Sequence, residues 1–165
     1  MGRTLEDLKQ AFAGESQANR RYLAFAKKAD SEGHPQAARL FRAAAEAETV
    51  HAHAHLRAMG GIGSTRDNLE AALAGEIHEF EKMYPAMIDD ARAEGEAQAL
   101  RSFEFANSVE RIHAGLFRSM LDSLDPAGDQ YPYFVCPVCG FTVERGAPDV
   151  CPICGAKGSS FVRTD

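Results

Sequence analysis

The chain lacks any apolar run long enough to span a bilayer. Its opening, Gly2-Arg3-Thr4-Leu5-Glu6-Asp7, is charged where a secretory signal would be apolar. A membrane is therefore not expected as a partner. An excess of positive charge is missing too. Lys and Arg total 18 against 24 Asp and Glu, a net charge of −6, which argues against nucleic acid or an anionic membrane surface as a partner. Cysteine is absent until position 136, and all 4 cysteines fall between there and Cys154. A disulfide-stapled secreted protein would spread them through its fold, so a reducing, cytoplasmic setting is expected.

What the chain does have is acid on helical stripes that should be apolar. The first stripe runs Leu5, Leu8, Phe12, Glu15, Asn19, Tyr22, Ala26, in steps of three and four. The second carries Ala37, Phe41, Ala44, Glu48, His51 and His55. The third carries Leu69, Leu73, Glu76, Phe80, Met83 and Met87, with Glu79 nearly one turn beyond Glu76. The fourth carries Leu100, Phe103, Ala106, Glu110, His113, Phe117 and Met120. Gly33, Gly60-Gly61 and Gly95 end helices, and Pro35 opens one. Thr4 reads as the first N-cap, and Asp67 with Glu70 as a capping box. Pro85 interrupts the third pattern and predicts a kink. Four long amphipathic helices with short connections predict an antiparallel four-helix bundle.

The chain also repeats itself. Leu8-x-x-Ala-x-Ala-Gly-Glu15 returns 61 residues later as the run ending in Glu76, and Glu48-x-x-His51 returns 62 residues later as Glu110-x-x-His113. A duplicated hairpin predicts a site of pseudo-twofold symmetry, which Glu79 breaks, because its counterpart is Ala18. Gly14 and Gly75 read as points of close helix approach.

Residues three apart share a helical face, so each Glu-x-x-His pair aims a carboxylate and an imidazole at one place. A single Glu on a core stripe would be an accident of phasing. Four such stripes would cost more than a marginally stable fold tolerates unless bound cations neutralise them. Glu15, Glu48, His51, Glu76, Glu79, Glu110 and His113 are therefore candidate ligands of a two-metal carboxylate site. Mixed carboxylate and imidazole donors suit iron or manganese. His51 and His113 would bind one metal each, Glu48 and Glu110 are placed to bridge, and Glu15 and Glu76 to cap opposite ends. Tyr22 and Tyr84 lie within two turns of Glu15 and Glu79. Core packing accounts for both, and a hydroxyl donated to a ligand would give them a catalytic part. His53 and His55 extend the imidazole run without a defined role.

After Asp125 the composition turns to proline and glycine, a linker over 125–133. Tyr133-Phe134-Val135 and Phe141-Thr142-Val143 read as short strands around Cys136-Pro-Val-Cys139-Gly140, and Cys151-Pro-Ile-Cys154-Gly155 repeats that turn. Cys136, Cys139, Cys151 and Cys154 make a tetrathiolate metal site, for which zinc and iron are both acceptable. So few residues bury little core, so the metal must hold them together.

These motifs, with Ala13-Gly14-Glu15-Ser16-Gln17-Ala18, Gly75-Glu76-x-x-Glu79 and Met83-Tyr84-Pro85 among them, resemble the rubrerythrin family over nearly the whole chain. The resemblance implies a ferritin-like bundle over 1–124 with a di-iron centre. It implies a rubredoxin-like (zinc-ribbon-like) β domain over 134–165 with one iron, or zinc, on its four cysteines. The implied activity is reduction of hydrogen peroxide to water, with electrons from an unidentified redox protein or reductase. A homodimer is implied as well. Glu79 and His51 are implied to exchange on one iron as its oxidation state changes, which makes Glu79 a catalytic candidate beside Tyr22 and Tyr84.

From His113 to Leu124 a helix rises about 16 Å. That separation predicts a thiolate centre far from its own chain's di-iron ligands and near those of a second subunit, in a head-to-tail dimer. A ferroxidase or iron-storage protein would use the same bundle but has no need of the thiolate site. A non-enzymatic module stabilised by zinc in both places is the other reading.

Overall fold

Glycine and proline cut the helices where the sequence pattern expects. The computed structural model describes residues 2–125 and 127–165. Met1, where the expected bundle begins, and Pro126 of the expected linker lie outside the described residues. Helix α1, Arg3–Ser31, ends before Gly33 at φ +77°, and α2, Pro35–Ala58, opens on its proline and ends before Gly60 at φ +68°. Helix α3 is Thr65–His78, α4 is Tyr84–Glu94 and α5 is Ala97–Asp122, with Gly95 at φ +75° turning the chain between the last two.

Two N-termini differ from expectation. Helix α1 starts one residue before Thr4, with Gly2 in the cap position and no side-chain cap bond. The capping box of α3 lies one turn earlier than Asp67 and Glu70. Ser64 Oγ accepts from the Asp67 N–H at 3.2 Å, and the Asp67 carboxylate accepts from the Ser64 N–H at 3.0 Å. Asp67 is therefore the third helical residue of the box rather than its cap.

The chain divides into two compact units, one ending at Gly63 and the other spanning Ser64–Asp165. In the first, α2 packs back on α1 through alanines: Ala26, Ala29 and Ala38 are buried together with Phe41 against them. Asn19 fastens the pair further along, donating from Nδ2 to the Ala45 carbonyl at 2.7 Å and to Thr49 Oγ1 at 2.8 Å. Close helix approach does not account for Gly14 and Gly75, because a Cβ added at either meets nothing within 4 Å.

In the second unit the helix begun by α3 passes through a π-helical turn, Glu79–Met83, before continuing as α4. The Tyr84 N–H bonds to the Glu79 carbonyl five residues back. This turn resolves a mismatch in the repeat. Glu15 to Glu76 is a step of 61, whereas Tyr22 to Tyr84, like Glu48 to Glu110, is a step of 62. One extra residue sits between Glu76 and Tyr84, and the widened turn absorbs it. The interruption expected as a kink at Pro85 takes this form, with Pro85 in the first turn of α4, where a missing N–H costs little.

After α5 come three short strands, β1 Tyr133–Val135, β2 Thr142–Glu144 and β3 Val162–Thr164, in an antiparallel sheet ordered β2-β1-β3. The third strand was not expected. Within this piece the two Cys-x-x-Cys-Gly turns fold alike. Gly140 N–H donates to the Cys136 carbonyl at 2.9 Å and Gly155 N–H to the Cys151 carbonyl at 3.0 Å, at φ +85° and +78°. Each first cysteine in turn donates its N–H across the knuckle, Cys136 to Phe141 and Cys151 to Ala156, both at 2.8 Å.

Candidate metal centres

Helical spacing brings the repeated acids to their histidines, once in each unit. In the first unit Glu15 comes from α1, and Glu48 and His51 from α2. One ligand atom from each lies within 4.8 Å of the others, and His51 Nδ1 is 2.9 Å from Glu48 Oε2. In the second unit Glu76 from α3 meets Glu110 and His113 from α5 within the same limit. There His113 Nδ1 lies 2.8 Å from Glu110 Oε2 and 3.6 Å from Glu76 Oε2.

The second set shows what such a cluster requires. Glu76 Oε2 is buried and has no hydrogen-bond partner. Burial, and then the neighbouring Glu110 carboxylate, lift the Glu76 carboxyl to about 6, while His113 pulls the other way. An orphaned buried carboxylate oxygen beside a second carboxylate is costly by itself. A divalent cation removes both the repulsion and the missing partner, so these residues fit a bound metal. Two carboxylates and an imidazole are donors that suit iron.

Glu79 belongs to neither three-residue set. It is the first residue of the π turn and stands close enough to Tyr84 to act on it. Burial first, then Glu110, Glu79 and Glu76, hold the Tyr84 phenol above its ordinary value. Tyr22 packs in an aromatic group, its ring centroid 6.4 Å from Phe25 and 6.2 Å from Phe41. His53 and His55 lie outside both sets.

The four cysteines converge with all sulfurs within 4.8 Å, free of disulfides. Cys136 and Cys154 Sγ are 3.6 Å apart, as are Cys139 and Cys151. A tetrahedron with metal–sulfur bonds of about 2.3 Å has edges of roughly 3.8 Å, so the cage has the size of a metal tetrathiolate. Burial raises the Cys136 thiol, but the N–H groups of Cys139 and Val138 outweigh it and leave that thiol at about 7. Burial raises the Cys139 and Cys154 thiols, so the lowering belongs to Cys136 and not to the cage as a whole.

The thiolate domain does not stand off from its own chain's ligands, contrary to the separation inferred from helix length. Thr142 of β2 lies with Oγ1 3.0 Å from His113 Nε2. A Cβ built on Gly140 would lie 3.7 Å from Val109 of α5, the residue before Glu110. Within this unit a cavity of about 450 Å³ reaches Glu76, His113, Thr142 and Tyr133. The chain folds back after the linker, so the rise along α5 does not set the separation. Thr142 itself carried no signal as a site residue, being one strand threonine among others.

Residues 6–121 match the family model described as rubrerythrin, and residues 134–162 match that of the rubrerythrin rubredoxin-like domain. The chain is 38% identical to rubrerythrin-2 of Clostridium acetobutylicum, an alignment covering 96% of this chain and 95% of that protein. It is 35% identical to nigerythrin of Nitratidesulfovibrio vulgaris, over 98% of this chain and 86% of the other. A solved nigerythrin structure, described as the fully reduced, all-ferrous state, aligns with a TM-score of 0.61 at 34% identity, covering 99% of this chain and 88% of that one.

Proposed function

The chain belongs to the rubrerythrin family, and on that premise we propose that it is a non-haem di-iron peroxidase that reduces hydrogen peroxide to water. Its fold class is that family's, four ferritin-like helices followed by a small rubredoxin-like β domain. The observation that carries the proposal is the pairing of two Glu/His sets with a tetrathiolate cage in one chain. Glu15, Glu48 and His51 would hold one iron, and Glu76, Glu110 and His113 the other. Cys136, Cys139, Cys151 and Cys154 would hold a third, which would supply electrons one at a time. Ferrous iron, when bound, supplies the electrons for the balance H2O2 + 2 H⁺ + 2 e⁻ → 2 H2O.

The chain's own residues do the rest. Glu79 is the carboxylate we assign to the redox-linked ligand exchange that the family pattern implies. Tyr84, whose phenol is held above its ordinary value by burial first and then by Glu110, Glu79 and Glu76, is suited to hold a proton at its phenol oxygen beside the ligands. Tyr22, its counterpart in the repeat, is the corresponding hydroxyl of the first unit. The functional division proposed is a di-iron part over 1–124, a linker over 125–133 and a thiolate part over 134–165.

No described helix is long and apolar enough to cross a membrane. Hydrogen peroxide and a redox partner are proposed from the family role, and the gathering of all four cysteines in one cage supports a reducing, cytoplasmic setting. A homodimer is proposed from the family alone, since the contact of Thr142 with His113 removes the distance argument for a head-to-tail one. A ferroxidase or iron-storage role would leave the four-cysteine cage without a purpose.

Anaerobic reconstitution with iron, followed by peroxide on the reduced protein, tests the reading. Rapid oxidation seen in the visible spectrum, with two electrons consumed per peroxide, is expected. A protein that takes up no iron outside the cysteine cage, or that stays reduced, would overturn it.

A further inference from the structure

Thr142 lies on the seam between the thiolate domain and the second carboxylate–imidazole set. Its Oγ1 is 3.0 Å from His113 Nε2 and 3.0 Å from the Gly140 carbonyl oxygen. A carbonyl only accepts, so the hydroxyl can give Gly140 its one proton and turn its lone pairs to the imidazole. In that orientation the imidazole carries its hydrogen on Nε2. Nδ1 is then bare, 2.8 Å from Glu110 Oε2 and 3.6 Å from Glu76 Oε2. Three atoms with lone pairs turned inward form a seat for a cation, and imidazole ligates only from the nitrogen that has no hydrogen.

The orientation of the hydroxyl is set by the cysteine knuckle rather than by the helix. Gly140 directly follows Cys139, its N–H donates to the Cys136 carbonyl at 2.9 Å, and it faces Val109 of α5. The carbonyl that takes the threonine's proton is thus part of the loop that wraps the thiolate cage.

We propose that Thr142 is a positioning residue for the helical metal centre: its hydroxyl accepts from His113 Nε2–H and so aims Nδ1 at the metal, making assembly of the thiolate domain a condition for a complete ligand set in the second unit. The inference rests on the reading of His113 as an iron ligand.

The test uses full-length protein labelled with ¹⁵N-histidine and Zn²⁺ as a diamagnetic probe. In the wild type, His113 is expected to show a metal-bound Nδ1 and a protonated Nε2. Thr142→Val keeps a strand-forming side chain of similar shape, and Thr142→Ala is a second removal should valine disturb the sheet. Tetrathiolate absorption reports that the β domain is intact in either. Loss of the hydroxyl is expected to weaken zinc at this set by about 10-fold or more, the usual effect of removing a partner of a metal-bound histidine. It should also mix the His113 nitrogen signals. Thr142→Ser should restore both. Wild-type zinc affinity together with unchanged His113 signals in the valine and alanine variants would overturn the inference while leaving the peroxidase reading intact. A wild type whose His113 binds no zinc at all would remove the reading beneath it.

Discussion

Glu76 Oε2 lies 3.6 Å from His113 Nδ1, too far for a hydrogen bond and close enough for two ligands of one ion. The two side chains come from different helices, α3 and α5, and the carboxylate oxygen has no other partner. The metal-free protein is frustrated at this position.

The frustration has a pH signature. The Glu76 carboxyl is raised from 4.5 to about 6 by burial and by Glu110. Between those values the folded metal-free chain binds more protons than the unfolded one, so its stability falls as pH rises through that window. Urea midpoints of metal-free protein are expected to be higher near about pH 4.5 than near about pH 7 on this account. Glu76→Gln should flatten that part of the profile and abolish tight metal binding in the second unit. An unchanged profile in the variant would contradict the assignment.

Glu79→Ala should leave iron loading near wild type, because Glu79 is outside both three-residue sets. Peroxide reduction should slow by a factor on the order of 10 to 100, the scale for losing one positioned group. Iron content and steady-state turnover measured on the same sample decide this, and unaltered turnover would refute the exchange role.

Deleting Lys82, one of the five residues of the π turn, shortens the segment by the one residue that the turn accommodates. Glu76 and Tyr84 would then stand seven apart, as Glu15 and Tyr22 do. The variant is expected to fold, to take up iron and to reduce peroxide more slowly, because Glu79 and Tyr84 lose their mutual placement. Failure to fold would show that the turn is not a simple one-residue insertion.

Cys151→Ser takes one sulfur from the cage and should unfold the β domain while α1 and α2 keep their helicity. So small a domain cannot replace a metal with buried area. Multiple turnover from a protein donor should fail, and single-turnover oxidation of chemically reduced protein should persist only in part, because the unfolded domain also takes Thr142 away from His113. Circular dichroism and stopped-flow absorption separate the two effects.

Much of this site was legible in the residue order because its grammar is local. Glu-x-x-His places both ligands on one face by helical period alone, and Cys-x-x-Cys-Gly closes its own knuckle through Gly140 and Gly155. Even the π turn left a trace, in the change of repeat step from 61 to 62. The trace said that one residue had been added and not where the helix would widen. Strand β3 was not legible, since Val162-Arg163-Thr164 is too short to show alternation and gains its partner only beside β1.

The amino-acid order by itself determined which side chains could ligate and where the glycine-ended helices stop, because backbone sterics and the 3.6-residue period act over a few residues. Only the tertiary structure decided that Thr142 meets His113 across 29 positions, and that Glu76 Oε2 is buried without a hydrogen-bond partner. Those outcomes depend on how the thiolate domain settles on α5 and how α3 packs beside it. Such packing sums many weak contacts from distant parts of the chain, and no local pattern encodes that sum.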